Sequence, residues 1–284
     1  MSDARRVLVF VHINKTAGTT VRFVLRSTFG SRHCDVEPWH GAWTDPPFST
    51  EDLRRVRRLY PRLASFAGHR VSGYVDLDEP GTEFRYLTFL REPVALCASR
   101  FQYRLDHRNR TDLSFEEWIR KDWARDAQTQ RIGGTAAVDD AISVIARKEM
   151  FVGLTEAFDE SMILLRALRA PDLDIRYAPV NVAKRSDIAK RLLSDPEKRQ
   201  MIVEANQADL ELYRYVRDEL YPTFRREYGP SLEASVASFR EGADARFNRR
   251  KLAMYGAKQR LVLKPTMHLY RRKSTHALVD ALVH

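Results

Sequence analysis

The segment RVLVFVHINKTAGTTVRF, residues 6–23, constrains the fold more than any other part of this sequence. It begins with an apolar, largely β-branched run from Val7 to Val11, which is typical of a parallel strand buried on both faces. From Thr19 onwards the apolar residues recur at helical spacing, and Gly30 follows as a helix stop. The segment therefore predicts a strand, a short polar turn and a helix, the opening unit of an α/β domain.

The turn between strand and helix has the composition of an anion site. Its seven residues, 14–20, include one lysine, one glycine and three threonines. Unpaired amides at a helix N-terminus and the helix dipole favour a bound anion. The Lys15 ammonium and the hydroxyls of Thr16, Thr19 and Thr20 would add charge-assisted hydrogen bonds. An ordinary strand-to-helix connection with a capping threonine is the alternative interpretation.

The turn does not match the nucleotide-binding motif G-x-x-x-x-G-K-[ST], in which lysine directly follows the second glycine. Here Lys15 precedes Gly18, and Thr19 comes next. A nucleotide hydrolase also uses an acidic residue after a later strand to hold magnesium. The clearest later strand, FRYLTFL (84–90), is followed by Arg91 instead. We therefore expect an anion site with no required metal.

The remaining sequence alternates strand and helix patterns. Residues 31–50 have the composition of a loop. The patterns predict strands over 65–71, 84–90 and 150–156, and helices over 50–60, from Pro93 onwards, over 115–123, 137–146 and 159–168, and twice between Pro196 and Tyr228. This alternation predicts a mainly parallel central sheet flanked by helices.

The C-terminal region differs in composition from the rest. Residues 231–284 carry the basic clusters RFNRRK and YRRK among scattered apolar residues. We therefore predict one domain over 1–230 and a basic C-terminal extension over 231–284. The extension is expected to dock on an acidic surface, either a partner subunit or a membrane.

Charge and cysteine content narrow the class of protein. The formal net charge of +10 implies an anionic partner. Two cysteines, Cys34 and Cys97, make no disulfide framework and fit a reducing compartment. The apolar run near the N-terminus is short for a signal peptide, and no stretch approaches 18 apolar residues. A soluble cytoplasmic protein is expected.

Five segments resemble one family in the same order along the chain. HINKTAGTT resembles the 5′-phosphosulfate-binding loop of sulfotransferases that use 3′-phosphoadenosine 5′-phosphosulfate (PAPS), and is closest to the carbohydrate 2-O- and 6-O-sulfotransferase branch. FLREPVALCASRFQY resembles the family's 3′-phosphate motif, an arginine at a strand end and a serine eight residues later. DAQTQRIGG, FVGLTEAFDESMILL and NQADLELYRYV resemble segments of bacterial members. The resemblance spans residues 6–228, with Asn14 where proline is usual and Gln130 where arginine is commoner.

The resemblance implies a P-loop-NTPase-like sulfotransferase fold. It also implies in-line transfer of a sulfuryl group from PAPS to a hydroxyl group, with a carbohydrate as the first expectation for the acceptor. No metal is required for this reaction. Lys15 would then contact the leaving oxygen. Arg91 and Ser99 would bind the 3′-phosphate. The 5′-phosphate would lie on the backbone of residues 16–20, which are Thr16, Ala17, Gly18, Thr19 and Thr20.

The resemblance also implies a histidine base. In the 2-O-sulfotransferases the catalytic histidine lies in a G-H-V-type segment at this point of the chain, and here that segment is Gly68-His69-Arg70-Val71. His12 lies on the first strand, where a hydrogen-bonded core histidine is the better interpretation. His33, His40 and His107 lie in polar, loop-like segments. The acceptor could be held by basic and amide side chains near the motifs, which are Arg70, Arg100, Arg104, Gln128, Gln130 and Arg131, although these could also be solvated surface groups.

Two other functions remain open at this point. A nucleotide kinase or GTPase could share the fold, but the lysine position and the missing acidic residue argue against it. A nucleic-acid or anionic-membrane binding protein would suit the charge, but the sequence lacks the interleaved aromatic and basic residues of a base-stacking surface, so no nucleic-acid partner is expected. The motifs leave the acceptor and the oligomeric state undetermined.

Overall fold

A computed structural model describes residues 5–36, 46–108, 113–177, 187–242 and 248–269. Within them the strands form one five-stranded sheet in the order β2-β3-β1-β4-β5, and every neighbouring pair is parallel. The strands are β1 (Arg5–Val11), β2 (His33–Asp35), β3 (Ser65–Gly68), β4 (Thr82–Leu90) and β5 (Phe151–Leu154). Helices flank this sheet, which confirms the predicted α/β class.

Helices make up most of the remaining described chain. The α-helices are α1 (Gly18–Phe29), α2 (Thr50–Leu59), α3 (Pro93–Arg108), α4 (Phe115–Ile119), α5 (Ala127–Gly133), α6 (Val138–Arg147), α7 (Phe158–Leu168), α8 (Asp187–Ser194), α9 (Pro196–Ala205), α10 (Gln207–Tyr215), α11 (Tyr221–Tyr228), α12 (Leu232–Glu241) and α13 (Arg249–Lys258). Short π-helical turns follow α10 (Val216–Leu220) and α13 (Gln259–Leu263).

The strongly periodic elements and the short strands β3 and β5 match their predictions, whereas three short elements were missed. Strand β2 lies inside the predicted loop 31–50, and α5 and α8 were not predicted. His33, expected in a polar loop, is fully buried on β2, where it pairs with Ser65 of β3. Its ring also lies 2.8 Å from the Ser65 hydroxyl. A three-residue strand has too few residues for a detectable period, so only the neighbouring strand defines it.

Strand β1 lies at the centre of the sheet, between β3 and β4. Val7 and Val9 are fully buried, as expected for a strand covered on both faces. The chain passes to β3 on one side of β1 and to β4 on the other, so the strand order reverses at β1. In open α/β sheets ligands bind outside the carboxyl ends of the strands at such a reversal. His12, His69 and Arg91 follow the carboxyl ends of these strands.

The C-terminal region is more closely joined to the core than the sequence suggested. Helix α13 packs against α1, and Leu232, Val236, Leu263 and Met267 are buried in the main apolar core. The Tyr255 hydroxyl also bonds to the buried Asp35 carboxylate. These contacts differ from the predicted appendage, because four apolar side chains of this region are buried in the core even though others, such as Leu261, are exposed. The YRRK cluster lies outside the described residues, and docking on an acidic surface stays a prediction.

Two further findings bear on function. The described part of the chain has no helix that is both long and apolar enough to cross a membrane. Cys34 and Cys97 are both buried, and they form no disulfide.

Candidate active site

The turn after β1 has an unusual backbone. Lys15 (φ 71°) and Ala17 (φ 58°) both adopt the left-handed region, although neither is glycine. Each such residue costs on the order of 1 kcal/mol or more, and this strain is concentrated at functional sites. Thr16 lies between them, fully buried, and its hydroxyl donates to the Ile13 carbonyl at 3.0 Å. The hydroxyl was predicted to contact an anion, but here it stabilises the turn itself. Only the backbone N–H of Thr16 would then be left to bind an anion.

The N-terminus of α1 has no cap of its own. Ala17 occupies the N-cap position without a side-chain hydrogen bond, and the first turn carries no acidic residue. The Thr20 amide bonds back to the Ala17 carbonyl at 2.9 Å, whereas the amides of Gly18 and Thr19 bond to no described residue. The positive end of this 12-residue helix is therefore available to an anion.

Two cationic side chains meet at this helix end. The Arg91 guanidinium donates to the Lys15 carbonyl at 3.3 Å, and the Lys15 ammonium lies 4.9 Å from the centre of the Tyr103 ring. Burial lowers the pKa of Lys15, the Arg91 charge lowers it further, and the Asp106 carboxylate acts in the opposite direction. An anion between the two cations would favour both charged forms.

Arg91 is held in place through its backbone. The buried Gln128 amide accepts from the Arg91 N–H at 2.9 Å and donates to the Arg91 carbonyl at 3.0 Å. Asp209 in turn binds the first amides of α5, at Gln128 and Thr129. Both ends of the Gln128 side chain are therefore used within the protein, so the structure gives it a positioning role in place of the predicted acceptor contact.

Ser99 lies in the second turn of α3, which begins two residues after Arg91. The Ser99 side chain is half-buried. Glu92 caps the same helix by accepting from the amides of Val94 and Ala95 at 3.0 and 2.7 Å. Because these amides are occupied, a phosphate here would be bound by the Arg91 and Ser99 side chains. No three histidine, cysteine or acidic side chains of the described ranges are grouped to hold a metal ion.

His69 has a defined tautomer. Its Nδ1 lies 3.2 Å from the His12 carbonyl oxygen. A carbonyl only accepts, so the neutral ring carries its proton on Nδ1 and leaves the lone pair on Nε2. Arg131 donates to the His69 carbonyl and lies 3.4 Å from the Ser72 hydroxyl. The His12 carbonyl therefore orients the His69 ring, and Arg131 holds the His69 backbone.

The other side chains predicted to contact the acceptor mostly bind their own protein. Arg104 is buried with its guanidinium 5.7 Å from the centre of the exposed Trp123 ring. The remaining three bond to nearby groups: Arg70 to the Pro46 carbonyl and Asp52, Arg100 to the carbonyls of Trp123 and Ala124, and Gln130 to the carbonyls of Asp122 and Arg125. The acceptor contacts thus stay predictions, and Trp123 and Tyr103 are the exposed aromatic groups beside them.

His12 differs most from its prediction. It was expected to be a hydrogen-bonded core histidine, and it is indeed only 5% exposed. Its Nδ1, however, has no hydrogen-bond partner in the described residues, and its ring stacks on His69 with the centres 4.0 Å apart. The sequence signal was its position at the end of the first strand, directly before the turn, where ligands of such sheets bind.

No family model matches the chain. The chain is 29% identical over 299 aligned positions to galactose-3-O-sulfotransferase 3 of Bos taurus and, equally, to its Mus musculus counterpart, covering 92% of this chain and 66% of either relative. For the Homo sapiens protein the identity is 29% over 282 positions, covering 86% and 62%. The chain thus spans just under two thirds of the length of these relatives. The similarity supports a carbohydrate sulfotransferase family.

Proposed function

We propose that this protein is a PAPS-dependent sulfotransferase that transfers a sulfuryl group to a carbohydrate hydroxyl. The observation that carries the proposal is the meeting of Lys15 and Arg91 at the uncapped N-terminus of α1. A helix end, a strained turn and two cations at the carboxyl edge of a parallel sheet suit a ligand with several anionic groups.

The site has candidate binding groups for both phosphate ends of the donor. The amides of Gly18 and Thr19 would hold the 5′-phosphate, and the Lys15 ammonium would neutralise charge on the leaving oxygen. Arg91 and Ser99 would hold the 3′-phosphate, since a guanidinium fork matches a phosphate dianion. When bound, PAPS supplies the activated sulfuryl group.

His69 would serve as general base. The acceptor hydroxyl loses its proton to Nε2 as its oxygen bonds to sulfur, and the sulfur–oxygen bond to the phosphate breaks, leaving 3′,5′-bisphosphoadenosine. The His12 carbonyl holds the proton on Nδ1, which keeps the lone pair on Nε2. A base in this position contributes about 10²- to 10⁴-fold to the rate.

The acceptor class rests on the relatives. Three proteins similar to this chain are named for sulfation at O-3 of galactose. We therefore propose a galactose-containing carbohydrate as the first acceptor to test. The Trp123 side chain is 53% exposed, lies over the Arg104 guanidinium and offers an aromatic face for a sugar ring.

The direct test combines binding and transfer. The full chain is titrated calorimetrically with 3′,5′-bisphosphoadenosine, ATP and GTP, and then incubated with radiolabelled PAPS and a panel of β-galactosides in the presence of EDTA. The proposal expects binding of the bisphosphate and a labelled sugar product. Binding of ATP or GTP alone would favour a kinase or GTPase and overturn it.

A matched pair of lysine variants ties the activity to the site. Lys15→Ala should lower turnover by about 10²- to 10³-fold, the scale for losing one group that stabilises transition-state charge. Lys190→Ala removes an exposed lysine on α8 and should leave turnover unchanged. Equal turnover in the two variants would remove Lys15 from the mechanism.

A further inference from the structure

Asp209, on α10, is a buried carboxylate that the reaction described above does not use. It is 1% exposed, and its Oδ1 accepts hydrogen bonds from the amides of Gln128 and Thr129 at 3.1 and 2.8 Å and from the Thr129 hydroxyl at 2.9 Å. Burial raises the pKa of Asp209 to about 6, because the ionised carboxylate is costly to bury. The fold therefore keeps a costly group at this position, and its contacts show what the group holds.

Helix α5 depends on Asp209 for its N-terminus. The helix has seven residues, too few to be stable alone, and its N-cap residue Asp126 makes no side-chain cap to it. Asp126 also lies in the left-handed region, at φ 38°. The Asp126 carboxylate accepts instead from the Asp209 amide at 3.0 Å, while Asp209 binds the first amides of α5. The N-termini of α5 and α10 therefore cap each other, although Asp126 and Asp209 are 83 positions apart in the chain.

Helix α5 in turn fixes the main chain of Arg91. Gln128, the second residue of α5, accepts from the Arg91 N–H at 2.9 Å and donates to the Arg91 carbonyl at 3.0 Å. The Arg91 guanidinium then donates to the Lys15 carbonyl at 3.3 Å. A continuous series of hydrogen bonds therefore runs from Asp209 to the turn before α1, and Arg91 is its last side chain.

We propose that Asp209 positions Arg91 through Gln128 and thereby sets the preference of this protein for a nucleotide that carries a 3′-phosphate. The inference rests on the proposed function and adds to it a positioning residue outside the donor site. A guanidinium fork binds a phosphate dianion in a narrow range of alignments, so a displaced Arg91 main chain weakens that contact. The groups proposed for the 5′-phosphate belong to the turn after β1, which has its own hydrogen bond from Thr16 to Ile13.

The experiment compares two nucleotides that differ by the 3′-phosphate. Asp209→Ala should bind 3′,5′-bisphosphoadenosine about tenfold more weakly in calorimetric titration, whereas its affinity for adenosine 5′-phosphate should equal that of wild type. Asp209→Asn keeps Oδ1 as an acceptor and should recover most of the loss. Gln128→Met removes both bonds to the Arg91 main chain and should reproduce the loss. The double variant Asp209→Ala, Gln128→Met should lose no more than either single variant, because both substitutions act on the same series of contacts.

A matched control separates positioning from general destabilisation. Gln259→Met makes the same substitution at a buried glutamine of the C-terminal region, which lies 3.4 Å from the Tyr60 hydroxyl, and should leave the ratio of the two affinities unchanged. If Asp209→Ala does not fold, Gln128→Met decides by the same ratio. Equal losses for both nucleotides, or an unchanged ratio, would overturn the assignment. Wild-type protein that binds neither nucleotide, or that does not prefer the bisphosphate, would instead refute the proposed sulfotransferase function.

Discussion

Replacing Gly18 by alanine tests the contact between the first helix and His12. The added Cβ would lie 1.8 Å from Nε2 and 2.9 Å from Cε1 of His12, far inside ordinary van der Waals contact. A long surface side chain would move aside at little cost. The His12 ring has less freedom to move, because it is buried and stacks with the rings of Phe10 and His69.

The magnitude follows from overpacking. Inserting one methyl group into a well-packed site typically costs about 1–3 kcal/mol through shifted side chains and backbone. The turn before Gly18 is already strained at Lys15 and Ala17, so it has little freedom to absorb the shift. We expect Gly18→Ala to lower the free energy of unfolding by about 2–3 kcal/mol, at the upper end of this range.

The assay is a double-mutant cycle by urea unfolding, with Gly18→Ala, His12→Ala and the double variant. If the ring is the obstacle, its removal relieves the clash, and the coupling energy should reach about 1–3 kcal/mol. Gly242→Ala is the matched control, since its added Cβ would be no closer than 3.4 Å to the Ser238 carbonyl. It should be close to neutral. Additive effects of the Gly18 and His12 substitutions would refute the packing argument.

Four further changes have defined outcomes. Arg91→Ala should weaken binding of PAPS by about 2–5 kcal/mol and hardly affect adenosine 5′-phosphosulfate, which lacks the 3′-phosphate; equal losses in a titration of both would make Arg91 structural. His69→Ala should slow turnover by about 10²- to 10⁴-fold with donor affinity retained, and near-normal turnover would exclude it as the base. Leu263→Ala removes a core side chain and should lower the free energy of unfolding by about 2–5 kcal/mol, whereas Leu261→Ala, at a position that is 77% exposed, should leave it unchanged. Equal melting curves for the two variants would show that the C-terminal region is not part of the core. Burial raises the pKa of Asp35, but its histidine and arginine partners outweigh this effect and hold the pKa well below the ordinary value. The ionised Asp35 carboxylate therefore stabilises the fold above about pH 4, and this stabilisation is lost as the pH falls further. Urea unfolding at stepwise lower pH should show that loss in wild type and not in Asp35→Asn.

The structure also changes one expectation about the C-terminal region. Truncation after Pro230 would spare donor binding if residues 231–284 were an appendage. Leu263 and Met267 instead belong to the main core, and Tyr255 bonds to Asp35 beside α1. The truncated chain should therefore melt at a lower temperature, and its loss of donor binding would follow from a disturbed α1.

The sequence by itself determined the elements with a long, clear period. β1, α1, β4 and the start of α3 at Pro93 all follow from local patterns, because burial on one or both faces leaves a period in the letters. Lys15 and Arg91 were also predictable as neighbours, since residues after parallel strands gather at one edge of the sheet.

Only the tertiary structure decided what those residues contact. Gln128 supports the Arg91 backbone, and the His12 carbonyl sets the tautomer of His69, 57 positions away in the chain. Strand β2 exists because β3 pairs with it. Contacts between residues far apart in the chain depend on how helices and strands pack, and neither composition nor periodicity records which side chains then meet. For that reason His12 had the appearance of an ordinary core residue in the sequence, and only the tertiary structure showed that its ring packs against Gly18 and stacks on His69.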